Sequence, residues 1–118
     1  MSAFEPYLAA WRERSLRERA ANELAAHNAM NIARSLARLL VDRFGARRVV
    51  LTGSLARGDF EQGSDIDLAA EGIAADAFYR AGAELEAAAE GLSVDLVPIE
   101  SGSAVYLEAL SRDGVELA

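Results

Sequence analysis

The chain has 118 residues, 52% hydrophobic and 26% charged, a composition that suits one soluble globular domain and excludes a disordered chain. It has no cysteine, which excludes a disulfide framework and thiolate metal sites, and no apolar run approaches the length that spans a bilayer. The net charge of −7 is uneven: residues 1–48 hold nine Arg against five acids, and residues 49–118 hold three Arg against fourteen acids. Non-specific nucleic-acid binding is driven by basic charge, so direct DNA binding is not expected. The basic first third reads either as a surface for an RNA, a nucleotide or an acidic protein, or as Arg side chains paired with nearby Glu on a solvated helix. The N-terminal stretch lacks the layout of a signal peptide, and a cytoplasmic location is expected.

In chain order, residues 4–44 contain no Gly and one Pro, Pro6, placed at a first helical turn. Ala, Leu, Arg and Glu dominate, all good helix formers. Tyr7, Leu8 and Trp11 begin an apolar face that Leu16, Ala20, Leu24, Ile32, Leu36, Leu39 and Leu40 continue. One helix of this length would span roughly 60 Å, so a break is expected near His27-Asn28; the alternative is a single helix that projects towards a partner. Gly45 ends the helical stretch as a C-cap. A strand follows over 48–52, a polar turn-rich loop over 58–63, a second strand over 66–70, and a helix over 75–90 with Phe78, Gly82, Leu85 and Ala89 on one face. Residues 93–99 form a third strand, with Pro98 at its end or at a sheet edge. A short helix over 103–111 and a short strand over 115–117 complete the chain. The expected class is α+β: a small mixed sheet with helices on one face, built as a single domain over 1–118 with a helical extension at 1–28 and a core at 29–118.

The chemistry gathers between Val49 and Leu68. Asp65 and Asp67 alternate along a strand and therefore point from one face. Two such carboxylates repel, and a shared hard cation such as Mg²⁺ or Mn²⁺ relieves the repulsion. Gly53-Ser54 follows the run Val49-Val50-Leu51-Thr52 where the chain must turn. Glycine there lets backbone N–H groups approach a phosphate, and the Ser54 hydroxyl adds a donor. Arg57 reads two ways, as a phosphate-neutralising cation or as an ion pair with Asp59 or Glu61; Gly58 permits the turn after it. His27 is the sole histidine and lacks a second ligand nearby. Tyr7 and Trp11 read as core or interface packing, and Tyr79 and Tyr106 as packing residues with wet hydroxyls.

Gly53-Ser54-Leu55-Ala56-Arg57-Gly58 followed by Ser64-Asp65-Ile66-Asp67-Leu68 resembles the signature of the DNA polymerase β-type nucleotidyltransferases, and within them the minimal single-domain branch. The likeness is specific over about twenty residues, with Thr52 where many members have Phe. It implies a third acid on a later strand, supplied by Asp95 within Ser93-Val94-Asp95-Leu96-Val97. It further implies two-metal phosphoryl transfer with two Mg²⁺ ions: Asp65, Asp67 and Asp95 catalytic and metal-binding, and Gly53, Ser54 and Arg57 holding the nucleotide. ATP is the implied substrate. Members of the minimal branch are similar to antitoxins that transfer AMP to a tyrosine of a HEPN-type ribonuclease toxin encoded nearby. The toxin's own Arg-x(4–6)-His motif is absent, because no Arg precedes His27 at that spacing. Two other functions stay open: transfer to a small hydroxylated molecule such as an aminoglycoside through a homodimeric cleft, and antitoxin action by binding alone.

Overall fold

The computed structural model describes residues 3–118; the first two residues of the expected extension lie outside it. Its frame is one helix, α1, running without interruption from Glu5 to Phe44. The break expected near His27-Asn28 does not occur. Between Pro6 and Gly45 nothing interrupts the backbone ladder, and the helix need not fit on the domain because its first half overhangs it. The radius of gyration, 17.9 Å, exceeds the roughly 13.5 Å of a compact chain of this length. Gly45, at φ 69°, donates its N–H to the last-turn carbonyls of Leu40 and Val41, as a left-handed C-cap does.

The remaining elements are β1 (Arg48–Thr52), α2 (Gly53–Arg57), β2 (Ile66–Glu71), α3 (Ala75–Ala88), β3 (Val94–Pro98), a 3₁₀ turn (Ile99–Ser101), α4 (Ala104–Asp113) and β4 (Val115–Glu116). The sheet order is β3-β2-β1-β4. β1 pairs antiparallel with β2 and β4, whereas β2 and β3 run parallel, so the sheet is mixed as its pattern predicts. Pro98 is both the last residue of β3 and on an edge strand, where its missing N–H disturbs no ladder. The one-turn α2 is an addition, since the residues after Thr52 read as a simple turn.

The two faces of the sheet differ. Val49, Leu51, Ile66, Leu68, Ala70 and Val94 are buried with Ala29, Ala33, Leu36, Ala37 and Leu40 of α1 and with Ala81 and Leu85 of α3. On α3 it is Ala81, not Gly82, that reaches the core. The opposite face carries a smaller cluster, Val50, Ala69, Ile99 and Leu110, with Tyr106 packed against it. Helix α4 therefore covers part of the second face, in addition to the helical layer expected on the first. Tyr79 is 90% exposed, contrary to its reading as a packing residue.

Every buried residue of α1 lies at or beyond Ala29. The two halves of the helix should thus respond differently to truncation of leucine. Leu40→Ala, at a fully buried site, is expected to cost about 2–5 kcal/mol. Leu16→Ala, at a site 63% exposed, is expected to stay within about 0.5 kcal/mol. Urea denaturation of the two variants checks both.

Candidate active site

Strand register places the acids. Thr52 of β1 stands opposite Asp67 of β2, and Asp67 opposite Asp95 of β3. Side chains alternate along each strand, so Thr52, Asp67 and Asp95 share the face of Val50 and Ala69, away from the helical layer. Asp65 precedes β2 by one residue and is exposed, as is Asp95; Asp67 is half-buried between them. The Thr52 hydroxyl donates to the Asp67 carbonyl at 3.4 Å, which gives the residue that replaces Phe in the motif a polar packing role.

Asp67 is the electrostatic centre. Its carboxyl is held above the ordinary carboxylate value by burial first, then by the charges of Asp95 and Asp65 and by a hydrogen bond shared with Asp95; the charge of Arg57 opposes the shift. Both other sequence-predicted acids and Arg57 therefore act on the Asp67 carboxyl. The donor chemistry fits a hard divalent cation, with oxygen ligands only and an unrelieved negative cluster. Among the described residues, no group of three His, Cys, Asp or Glu side chains is closed around one metal position. The contact is between Asp67 and Asp95, and Asp65 acts on Asp67 through its field.

Gly53 opens α2 at φ 71°, and a side chain on it would collide with the Asp67 carboxylate. Both facts require glycine: the left-handed backbone, and the space that the carboxylate fills. The first N–H groups of α2 have no intrahelical partner, and Ser54 stands beside them. The turn from β1 into α2 thus presents donors next to the acids. Gly58 caps α2 at φ 89° with its N–H on the Ser54 carbonyl and has open space around it, in keeping with a purely conformational role. Arg57 lies 3.6 Å from Asp59, with both side chains more than half exposed. Such a pair contributes little; it is the ion-pair reading of this residue, and it leaves the guanidinium more than half exposed.

The loop from Gly58 to Gly63 is pinned rather than free. Phe60 is buried in the main core, the Gln62 N–H donates to Asn22 Oδ1 of α1 at 3.0 Å, and Ser64 Oγ accepts from the Glu61 N–H at 3.1 Å. One neighbour of the site was not legible in the sequence. Tyr106 sits on the same sheet face, its hydroxyl pushed up by burial and by the charge of Asp67. Its helix start was readable, since Ser103 Oγ accepts from the Tyr106 N–H at 3.1 Å; its approach to Asp67 depends on how α4 docks, which no local pattern encodes. His27 is exposed on α1 and contributes nothing here.

A nucleotidyltransferase domain model matches residues 33–110, so the chain belongs to the nucleotidyltransferase domain family and is a nucleotidyltransferase. Among solved structures it is similar to a toxin–antitoxin crystallised with AMP-PNP, at 24% identity over 72% of each chain with a TM-score of 0.62. A MntA-HpeT toxin–antitoxin carrying a tyrosine-to-alanine mutation matches at 28% identity, over 71% of this chain and 69% of that one, with a TM-score of 0.60. A tri-AMPylated Shewanella oneidensis HEPN toxin in complex with MNT antitoxin matches at 23% identity, over 76% and 71%, with a TM-score of 0.59. A comparison with curated proteins finds no match. The fold is thus that of polymerase β-like nucleotidyltransferases, shared with MNT antitoxins. No helix among the described residues is long and apolar enough to cross a membrane.

Two outcomes follow from this geometry. Because the folded Asp67 carboxyl lies above its ordinary value of 3.8, the folded state holds a proton more tightly than the unfolded chain. This group's contribution to stability is greatest below that value and is lost as pH rises through the raised one. Asp67→Asn is expected to raise the melting temperature of metal-free protein at pH 7, the gap closing as pH falls towards 4; scanning calorimetry in a chelator checks it. Gly58→Ala should cost about 1–3 kcal/mol of strain, and Gly53→Ala more, because its Cβ also meets the Asp67 carboxylate. Only Gly53→Ala should also abolish nucleotide binding, read by titration with an ATP analogue.

Proposed function

We propose that this nucleotidyltransferase transfers AMP from ATP to a protein hydroxyl, a tyrosine of a HEPN-type ribonuclease toxin, and so acts as the toxin's antitoxin. The observation that carries the reading is the placement of Asp67 and Asp95 side by side on the open sheet face, against the Gly53-Ser54 turn. The structures it resembles supply the acceptor class: one is described as a tri-AMPylated HEPN toxin with its MNT antitoxin, another as a toxin–antitoxin with AMP-PNP. Asp65 and Asp95 are exposed, which leaves the approach to the acids wide enough for a macromolecular acceptor.

In this reading Gly53 and Ser54 bind the β- and γ-phosphates through backbone N–H groups and the hydroxyl, and Arg57 swings from Asp59 onto the triphosphate as charge builds on the leaving group. Asp65, Asp67 and Asp95 are the residues that would hold Mg²⁺ or Mn²⁺, two ions in all, which neutralise phosphate charge and acidify the attacking hydroxyl. The acceptor oxygen bonds to the α-phosphorus, the bond to the β-phosphate oxygen breaks, and pyrophosphate leaves. The hydroxyl proton passes to Asp95, the exposed acid of β3. Tyr106 bounds this space on the α4 side. The catalytic domain is residues 29–118, with residues 1–28 as an extension.

Incubation with Mg²⁺ and α-³²P-ATP, with and without a HEPN protein encoded beside it, tests the proposal. Label should appear on the HEPN protein and require its tyrosine. Asp65→Ala and Asp67→Ala should reduce transfer about a hundredfold or more, and Arg57→Ala up to about a hundredfold. Label on an aminoglycoside instead would move the acceptor to a small molecule. Toxin neutralisation that survives both Asp substitutions would leave binding as the whole function.

A further inference from the structure

The first half of α1 is unexplained by the transfer reaction. The family match begins at residue 33, and no residue of α1 before Ala29 is buried. This overhang is nevertheless patterned. Trp11 and Ala29 are eighteen residues apart, five turns at 3.6 residues per turn, so they project from the same side of the helix. By the same spacing Tyr7 aligns with Ala25 and Leu8 with Ala26, both partly buried against the core. The face that packs on the domain at one end of α1 thus continues as Tyr7, Leu8 and Trp11 at the other, where these side chains are 73%, 45% and 55% exposed.

Between tip and core the same face roofs a cleft of about 410 Å³, formed by Ser15, Glu18, Asn22 and Glu23 of α1 against Asp59, Phe60 and Glu61 of the site loop. Charge separates the two regions. The cleft is lined by four carboxylates, Glu18, Glu23, Asp59 and Glu61, and by one cation, Arg19, while Arg57 pairs with Asp59. At the tip, Arg12 and Arg14 lie on either flank of the Trp11 stripe and Glu13 on the opposite side of the helix, and among the described residues neither Arg forms an ion pair. A basic aromatic knob and an acidic, Phe60-floored cleft therefore occupy one face of one helix. They are complementary to each other, yet on a straight helix the knob cannot reach its own cleft.

We propose that a second copy of this chain covers this face: two α1 overhangs pack antiparallel about a two-fold axis, each setting Tyr7 and Trp11 into the other's cleft with Arg12 and Arg14 against its carboxylates. Such an interface is isologous, so every contact occurs twice. The exposed parts of Tyr7, Leu8 and Trp11 supply about 200–400 Å², short of the roughly 800 Å² per partner of a stable interface. The cleft lining adds to this surface. Because Asp59, Phe60 and Glu61 belong to the loop between Arg57 and Asp65, the partner's tip also braces the candidate site.

Sedimentation velocity on the full chain across the micromolar range tests this without reference to the transfer reaction, so its failure leaves the proposed activity untouched. A dimer is expected, and Trp11→Glu should raise its dissociation constant at least about tenfold with the circular dichroism spectrum retained. Tip-reversed chains (Arg12→Glu with Arg14→Glu) and cleft-reversed chains (Glu18→Arg with Glu23→Arg) should each be monomeric alone and dimerise when mixed. A wild-type monomer, a dimer indifferent to Trp11→Glu, or two reversed variants that stay apart on mixing would each overturn the proposal. A wild-type monomer whose labelling of a HEPN protein is lost on Trp11→Glu would also overturn it, and would give the face to the acceptor.

Discussion

Asp67 occupies a space that only a missing side chain provides. Its carboxylate fills the position that a Cβ on Gly53 would take, and it meets Asp95 across a parallel strand pair. Thr52, which leads into Gly53, and Asp95 both stand opposite Asp67 in the strand register, so the backbone holds these groups close together. Burial and like charge raise its proton affinity, which is the cost of holding the cluster together before a counter-charge arrives. The rest of the structure serves to keep that arrangement in place. β1 delivers Gly53, β2 delivers Asp67 and β3 delivers Asp95, all through hydrogen bonds whose register has no slack.

The sheet divides its labour by face. One side is closed by α1 and α3 over aliphatic side chains that are almost entirely buried, and this layer supplies the hydrophobic stabilisation. The other side carries a small cluster under α4 and then opens onto the acids. A strand can serve both because neighbouring residues point oppositely: Ile66 and Leu68 anchor the core while Asp67 between them faces the reaction. The alternation also explains why Asp67 is half-buried while flanked by the most buried residues of the chain.

Much of this could be read from the sequence, and the remainder has identifiable causes. The strands, the Gly45 cap, the edge position of Pro98 and the α+β class follow from period, turn chemistry and propensity acting locally. The acids and the Gly-Ser turn stood out because charge and glycine inside apolar strands are locally anomalous. The continuity of α1 was misjudged because a length argument assumed that a helix must lie on its own domain, whereas propensity across His27-Asn28 was never interrupted. The α4 packing on the second face and the approach of Tyr106 to Asp67 arise from docking between distant segments. Tyr79 failed for a related reason, since an aromatic on an amphipathic helix reads as buried until its phase is known.

The sheet order has a consequence for how the molecule would fail on warming. Asp95 rides on β3, an edge strand tied on one side only, to β2, and it ends at a proline. Asp67 rides on a central strand between two partners. Edge elements open at lower free energy than central ones, so the carboxylate constellation should come apart by peeling at its outer member while α1, α3 and the inner strands still hold. Catalytic competence and global foldedness would then be separable, the first belonging to one exposed strand and the second to the buried layer behind it.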